Sequence, residues 1–94
     1  MIIVAGQIHV KKGKASAFVE SSREAMIAAR KVKGCHDFSV AADPIEDARI
    51  NVYERWASVK DMVAFRGDGP GDELSDLIVR AEVKRHSIRK SGPA

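Results

Sequence analysis

Few side chains in this sequence can do chemistry, and the densest group of them is the run Ile-Asn-Val-Tyr-Glu-Arg-Trp at residues 50–56. It holds the chain's single Trp and single Tyr, with an Asn and a Glu between them. Its β-branched and aromatic content reads as a strand. Alternation then puts Ile50, Val52, Glu54 and Trp56 on one face and Asn51, Tyr53 and Arg55 on the other. A carboxylate beside an indole on an otherwise apolar face is either a satisfied structural pair or one wall of a pocket. As a structural pair, Glu54 needs a cation, because an unpaired buried carboxylate is costly. Arg80 and Lys84 are the expected partners. As a pocket wall, Trp56 offers a stacking surface, only partly buried, and Glu54 a polar contact.

The histidines His9, His36 and His86 fall on three different expected strands, none with a ligand-type neighbour at helical or strand spacing, so no metal site is expected. Each can titrate near neutrality and act as a base. His86 is the preferred base, because the last strand should lie beside the first. Cys35 is the only cysteine. It has no basic cluster to activate it and should be a small buried hydrophobe. A lone cysteine forms no intramolecular disulfide, which fits a reducing, cytoplasmic location. Gly67, Gly69 and Gly71 are not fed by a strand and precede no Gly-Lys-Ser, so they are not a phosphate loop. They are expected to form a lid at a pocket mouth.

These groups need elements to hold them. With 94 residues, 45% hydrophobic and 31% charged, the chain is expected to fold as a single domain over residues 1–90 with a flexible tail at 91–94. The net charge of +3 is spread along the chain and the few aromatics sit in apolar patterns, unlike a nucleic-acid binder. No apolar run approaches membrane-span length, and the short N-terminal one lacks a basic flank, so neither a membrane nor a secretory signal is expected. Residues 2–10 read as a strand that is apolar on both faces, with Ile2, Val4, Ile8 and Val10 opposite Ile3 and Ala5. Residues 14–33 read as a helix with Ala15, Phe18, Ser22, Ala25, Met26 and Ala29 in one stripe and Gly34 as its stop. A hairpin of strands 35–42 and 50–56 follows, turning at Asp43-Pro44. Ser58 caps a second helix, with Asp61 three residues on. Residues 66–73 break it, a short helix restarts near Asp72, and residues 79–88 form the last strand. The order βαββαβ closes as an α+β, ferredoxin-like fold with a four-stranded antiparallel sheet and helices on one face. The uncovered face of the first strand then calls for a second copy, packed sheet to sheet as a two-fold homodimer.

The opening "MIIVAG", Gly34-Cys35 after a charged helix, Asp43-Pro44, and Glu54-x-Trp56 before a capped helix together resemble the antibiotic biosynthesis monooxygenase family, over nearly the whole chain. The resemblance implies a dimeric α+β barrel with a pocket in each subunit between sheet and helices. It implies oxidation of a phenol, hydroquinone or similar small aromatic by molecular oxygen, with no metal or flavin; more distant relatives degrade haem, and the lack of their helix His here argues against haem. Trp56 carries over from the family and Gln7 loosely. Trp56, Phe65, Phe38 and Glu54 are expected around the substrate. His86, Asn51 and Gln7 are expected in catalytic base and hydrogen-bonding roles, with Asn51 one residue off the family's Asn and on the other face of its strand. The chain departs from that family in having Val52 where antibiotic-type members carry an Asn, and Phe65 where many carry a His. The alternative expectation is therefore a non-catalytic ligand-binding or stress-response dimer of the same fold.

Overall fold

Strand β1 (Ile2–Val10) runs down the middle of the sheet, flanked by β3 (Arg49–Trp56) and β4 (Ile78–Ser87), with β2 (Cys35–Ala42) outside β3. The computed structural model describes residues 1–67 and 72–94, with Asp72 and Glu73 as backbone only. The strand order is β2-β3-β1-β4 and every pairing is antiparallel. Helix α1 (Ala15–Ala29) links β1 to β2, and α2 (Val59–Arg66) with the short α3 (Asp72–Leu77) links β3 to β4. This is the expected ferredoxin-like α+β arrangement.

Strand parity decides what is buried. Ile2, Val4, Val10, Ile50, Val52, Glu54 and Trp56 all face the helices and are all buried. They divide into two apolar clusters. One gathers Ile2, Val4, Ala29, Phe38, Trp56 and Met62, the other Val10, Phe18, Ile50 and Val52. Val40 and Val83 touch both. Between these halves of the core lies the cavity described below.

Gly6 faces the helix side between Val4 and Ile8, opposite Val52 on β3 and Val83 on β4. Its φ of +149° is one that side chains rarely adopt, and a Cβ there would collide with the Glu82 carbonyl oxygen. The glycine therefore allows β4 to approach β1 closely beneath the cavity.

Two element ends differ from expectation. Helix α1 stops at Ala29, short of the expected residue 33, so Lys31 and Lys33 lie outside it. The backbone tightens there, with Lys31 N–H donating to Ala28 O at 3.2 Å and Val32 N–H to Ala29 O at 3.0 Å. The Arg30 guanidinium donates instead to Phe38 O, at 2.9 Å, which ties the helix end to β2. Strand β4 starts at Ile78, one residue early, because Ile78 pairs with Val10 and the Leu77 carbonyl accepts from Lys11 N–H at 2.9 Å. Helix α2 begins as expected. The Ser58 hydroxyl oxygen accepts from Asp61 N–H at 3.2 Å and its proton goes to the Asp61 carboxylate at 2.8 Å. Among the described residues no helix is long and apolar enough to cross a membrane.

Candidate functional site

Glu54 and Trp56 are two residues apart on β3 and so face the same way. The indole Nε1–H donates to Glu54 Oε1 at 2.9 Å. The Arg66 guanidinium, from the last turn of α2, donates to the same oxygen at 3.0 Å. Glu54 is therefore a buried ion pair, its side chain 7% exposed against 42% for Arg66. Its partner is not Arg80 or Lys84. Those residues pair opposite His9 and Ala5 of β1, which puts them on the other face of the sheet. Glu54 Oε2 has no hydrogen-bond partner among the described residues, while no fully buried side-chain oxygen there lacks one. Oε2 therefore retains accessible surface.

Glu54 lines a cavity of about 500 Å³ between the sheet and the helices. Its walls are otherwise mostly apolar: Phe18 from α1, Phe38 and Val40 from β2, Val52 from β3, Phe65 from α2, Leu74 from α3, Ile78 and Val83 from β4. Ser22 also lines it, but its hydroxyl donates back to Phe18 O at 2.8 Å. Glu54 and Arg66 are thus the charged groups of the described lining. Phe38 and Phe65 meet edge to face at 5.8 Å between ring centroids, inclined at 68°.

Trp56 is not a wall of this cavity. It is 0% exposed and packs behind the two phenylalanines, 6.4 Å from Phe38 and 5.6 Å from Phe65 between centroids. The expected partly exposed indole is replaced by a core residue that holds Phe65 and the carboxylate in place. The cause is local: α2 starts right after β3, and Met62 and Phe65 close over the ring.

The three residues expected to be catalytic lie elsewhere. Gln7 pairs opposite Asn51 on β3, and His86 pairs opposite Ile3, so all three share the face of the sheet away from the helices. Each also has its own surroundings there. Gln7 donates to the Glu82 carboxylate at 2.6 Å. Asn51 donates to Asp43 Oδ1 at 2.8 Å and accepts from Arg49 at 2.9 Å, so it pins the β2–β3 hairpin. His86 is exposed near the end of β4. Parity places the carboxylate on the cavity side and these three on the other.

Cys35 is half-buried, at a register shift in the outer strand β2, with Sγ 3.4 Å from Asp37 O. Desolvation pushes its thiol above the ordinary value, outweighing that hydrogen bond. Gly67 ends α2 with a φ of +53°, whereas Gly69 and Gly71 of the expected lid lie outside the described residues. Among the described residues no cluster of three His, Cys, Asp or Glu side chains is placed to hold a metal ion.

Sequence reasoning misses Arg66, which in the sequence is only the first residue of the helix break at 66–73. The available signal was its place in the last turn of α2, twelve residues after Glu54.

Comparison with known proteins agrees on the fold. A protein of Deinococcus radiodurans, provisionally named an antibiotic biosynthesis monooxygenase, superposes with a TM-score of 0.85 at 18% identity, covering 100% of this chain and 98% of that one. A conserved protein of Methanosarcina mazei gives 0.78 at 18% identity, over 94% of this chain and 92% of its own. A protein of Mycobacterium tuberculosis gives 0.77 at 14% identity, over 98% of each chain. At such identities the likeness is one of fold. No curated protein matches the chain. The antibiotic biosynthesis monooxygenase profile, however, matches residues 1–69, well over half of the sequence. The chain therefore belongs to the antibiotic biosynthesis monooxygenase family.

Proposed function

We propose that this protein is a cofactor-independent monooxygenase for a small phenol or hydroquinone, working as a sheet-to-sheet homodimer. One observation carries the reading: an apolar cavity of about 500 Å³, walled by Phe38 and Phe65, whose charged groups in the described lining are one carboxylate and one guanidinium. Such a cavity suits a flat aromatic ring with one polar edge. Desolvation there favours reaction of an electron-rich anion with dioxygen, which is itself apolar.

The chemistry balances without an added reductant when the phenol exchanges with a keto tautomer carrying a CH₂ group. Loss of one proton gives a delocalised anion. Its carbon forms a C–O bond to dioxygen, and protonation yields a hydroperoxide. The O–O bond then breaks. The carbon is left as a carbonyl, and its two hydrogens leave with the second oxygen as water. Dioxygen takes four electrons from that one carbon. The protein's share is to bind the ring, remove the proton and stabilise the anion.

The second reading is a binding protein for an apolar aromatic. It is favoured by the same carboxylate's engagement with Trp56 and Arg66 through Oε1. Oxygen uptake separates the two. With a panel of polycyclic phenols in an oxygen electrode, the monooxygenase reading predicts protein-dependent uptake of one dioxygen per carbonyl formed. Binding without uptake would favour the carrier, and absence of both would sink the cavity as a ligand site.

A further inference from the structure

The cavity contains the means to remove a proton without creating a new charge. Glu54 Oε1 is fixed by Trp56 Nε1 at 2.9 Å and by Arg66 at 3.0 Å, while Oε2 has no partner among the described residues. A carboxylate held through one oxygen has its second lone-pair set available at a fixed angle. Among the described residues no other carboxylate and no imidazole lines the cavity.

We propose that Glu54 is the catalytic base of this site and that Arg66 is the counter-charge for the anion it generates. This rests on the reading of the cavity as a phenol site. In the step, the phenolic O–H bond breaks and its proton bonds to Glu54 Oε2. The electron pair stays on the substrate oxygen. Before transfer the cavity holds a carboxylate anion beside the Arg66 cation. After transfer it holds a neutral carboxylic acid and a phenolate beside the same cation. The number of charges is unchanged. That matters because generating a fresh ion pair in an apolar cavity is costly, whereas shifting an anion already paired there is far less so. The Arg66 side chain is part-exposed and hangs from the end of α2, so its head can follow the negative charge from carboxylate to substrate. Trp56 is a positioning residue: its N–H fixes which carboxylate oxygen stays occupied.

The test uses 2-naphthol as the probe. Its hydroxyl becomes strongly acidic on excitation, so it emits as the naphtholate only where a proton acceptor lies within hydrogen-bond reach. In an apolar cavity lacking one it emits as the neutral form. With protein in excess, the wild type should convert the bound probe to naphtholate emission. Glu54→Gln should lose that band and emit as the neutral form, while still binding 2-methoxynaphthalene, which shows the cavity is intact. Neutral emission from the probe bound to wild type would overturn the assignment without any variant being needed. So would naphtholate emission that survives in a folded Glu54→Gln. If neither 2-naphthol nor 2-methoxynaphthalene binds the wild type, the phenol-site reading itself falls, and the assignment with it.

Discussion

At the scale of single residues, Trp56 and Phe65, both expected around the substrate, part company: only Phe65 lines the cavity. The indole, which the sequence offers as a stacking surface, is buried and hydrogen-bonded to Glu54. The rings that meet the cavity are those of Phe18, Phe38 and Phe65. Trp56→Phe should therefore act on stability. It removes one of two bonds to Glu54 Oε1 and leaves a gap behind Phe38. Loss of one hydrogen bond to a buried charged group and part of a ring should cost roughly 2–4 kcal/mol. Urea denaturation checks this, with aromatic-probe affinity expected to stay as in the wild type. Unchanged stability with weakened affinity would put the indole back in the cavity wall.

At the scale of elements, the β2–β3 hairpin shows what Asn51 does in the fold. Asp43 Oδ2 accepts from Ile45 N–H at 3.1 Å and Glu46 N–H at 2.7 Å, and its Oδ1 accepts from Asn51. The Asn51 bond, then the Glu46 and Ile45 amides and the Arg49 charge, hold the Asp43 carboxyl below its usual value of 3.8. A depressed carboxyl stabilises the fold above its unfolded value, and that contribution disappears as pH falls through the folded value. Asp43→Asn should thus melt below the wild type at neutral pH, with the gap closing under acid conditions below 3.8. A gap independent of pH would mean the Asp43 charge does not matter to the hairpin. The hairpin also marks what a sequence can disclose. The turn at Asp43-Pro44, the Ser58 cap and the shared face of Glu54 and Trp56 follow from local rules of dihedral preference and alternation. Parity also separates Asn51 from Glu54. The partner of Glu54 did not follow from those rules, because Arg66 reaches it through the packing of α2 on β3. The tie at the end of α1 was equally hidden, because the Arg30 guanidinium meets its acceptor, Phe38 O, on another element.

At the scale of the whole molecule, the sheet has one covered face and one open one. The open face has Ile3, Ala5 and Tyr53 at its middle, the tyrosine 37% exposed, ringed by Gln7, Arg55, Glu82, Lys84 and His86. A second copy laid across it would bury those apolar centres and let the two rings of charge interleave. Sedimentation equilibrium should return twice 10.2 kDa, and Tyr53→Asp should shift it toward a single 10.2 kDa chain. A wild-type mass of 10.2 kDa would contradict the dimer. The two faces can also be told apart by a ligand, because the cavity and the residues expected to be catalytic lie on opposite sides of one sheet. In a ¹H–¹³C NMR titration with 2-methoxynaphthalene, shifts should be confined to Phe38, Val40, Val52, Phe65 and Val83, which line the cavity. Shifts centred instead on Ile3, Gln7, Asn51 and His86 would place the ligand on the open face and contradict the cavity as the ligand site.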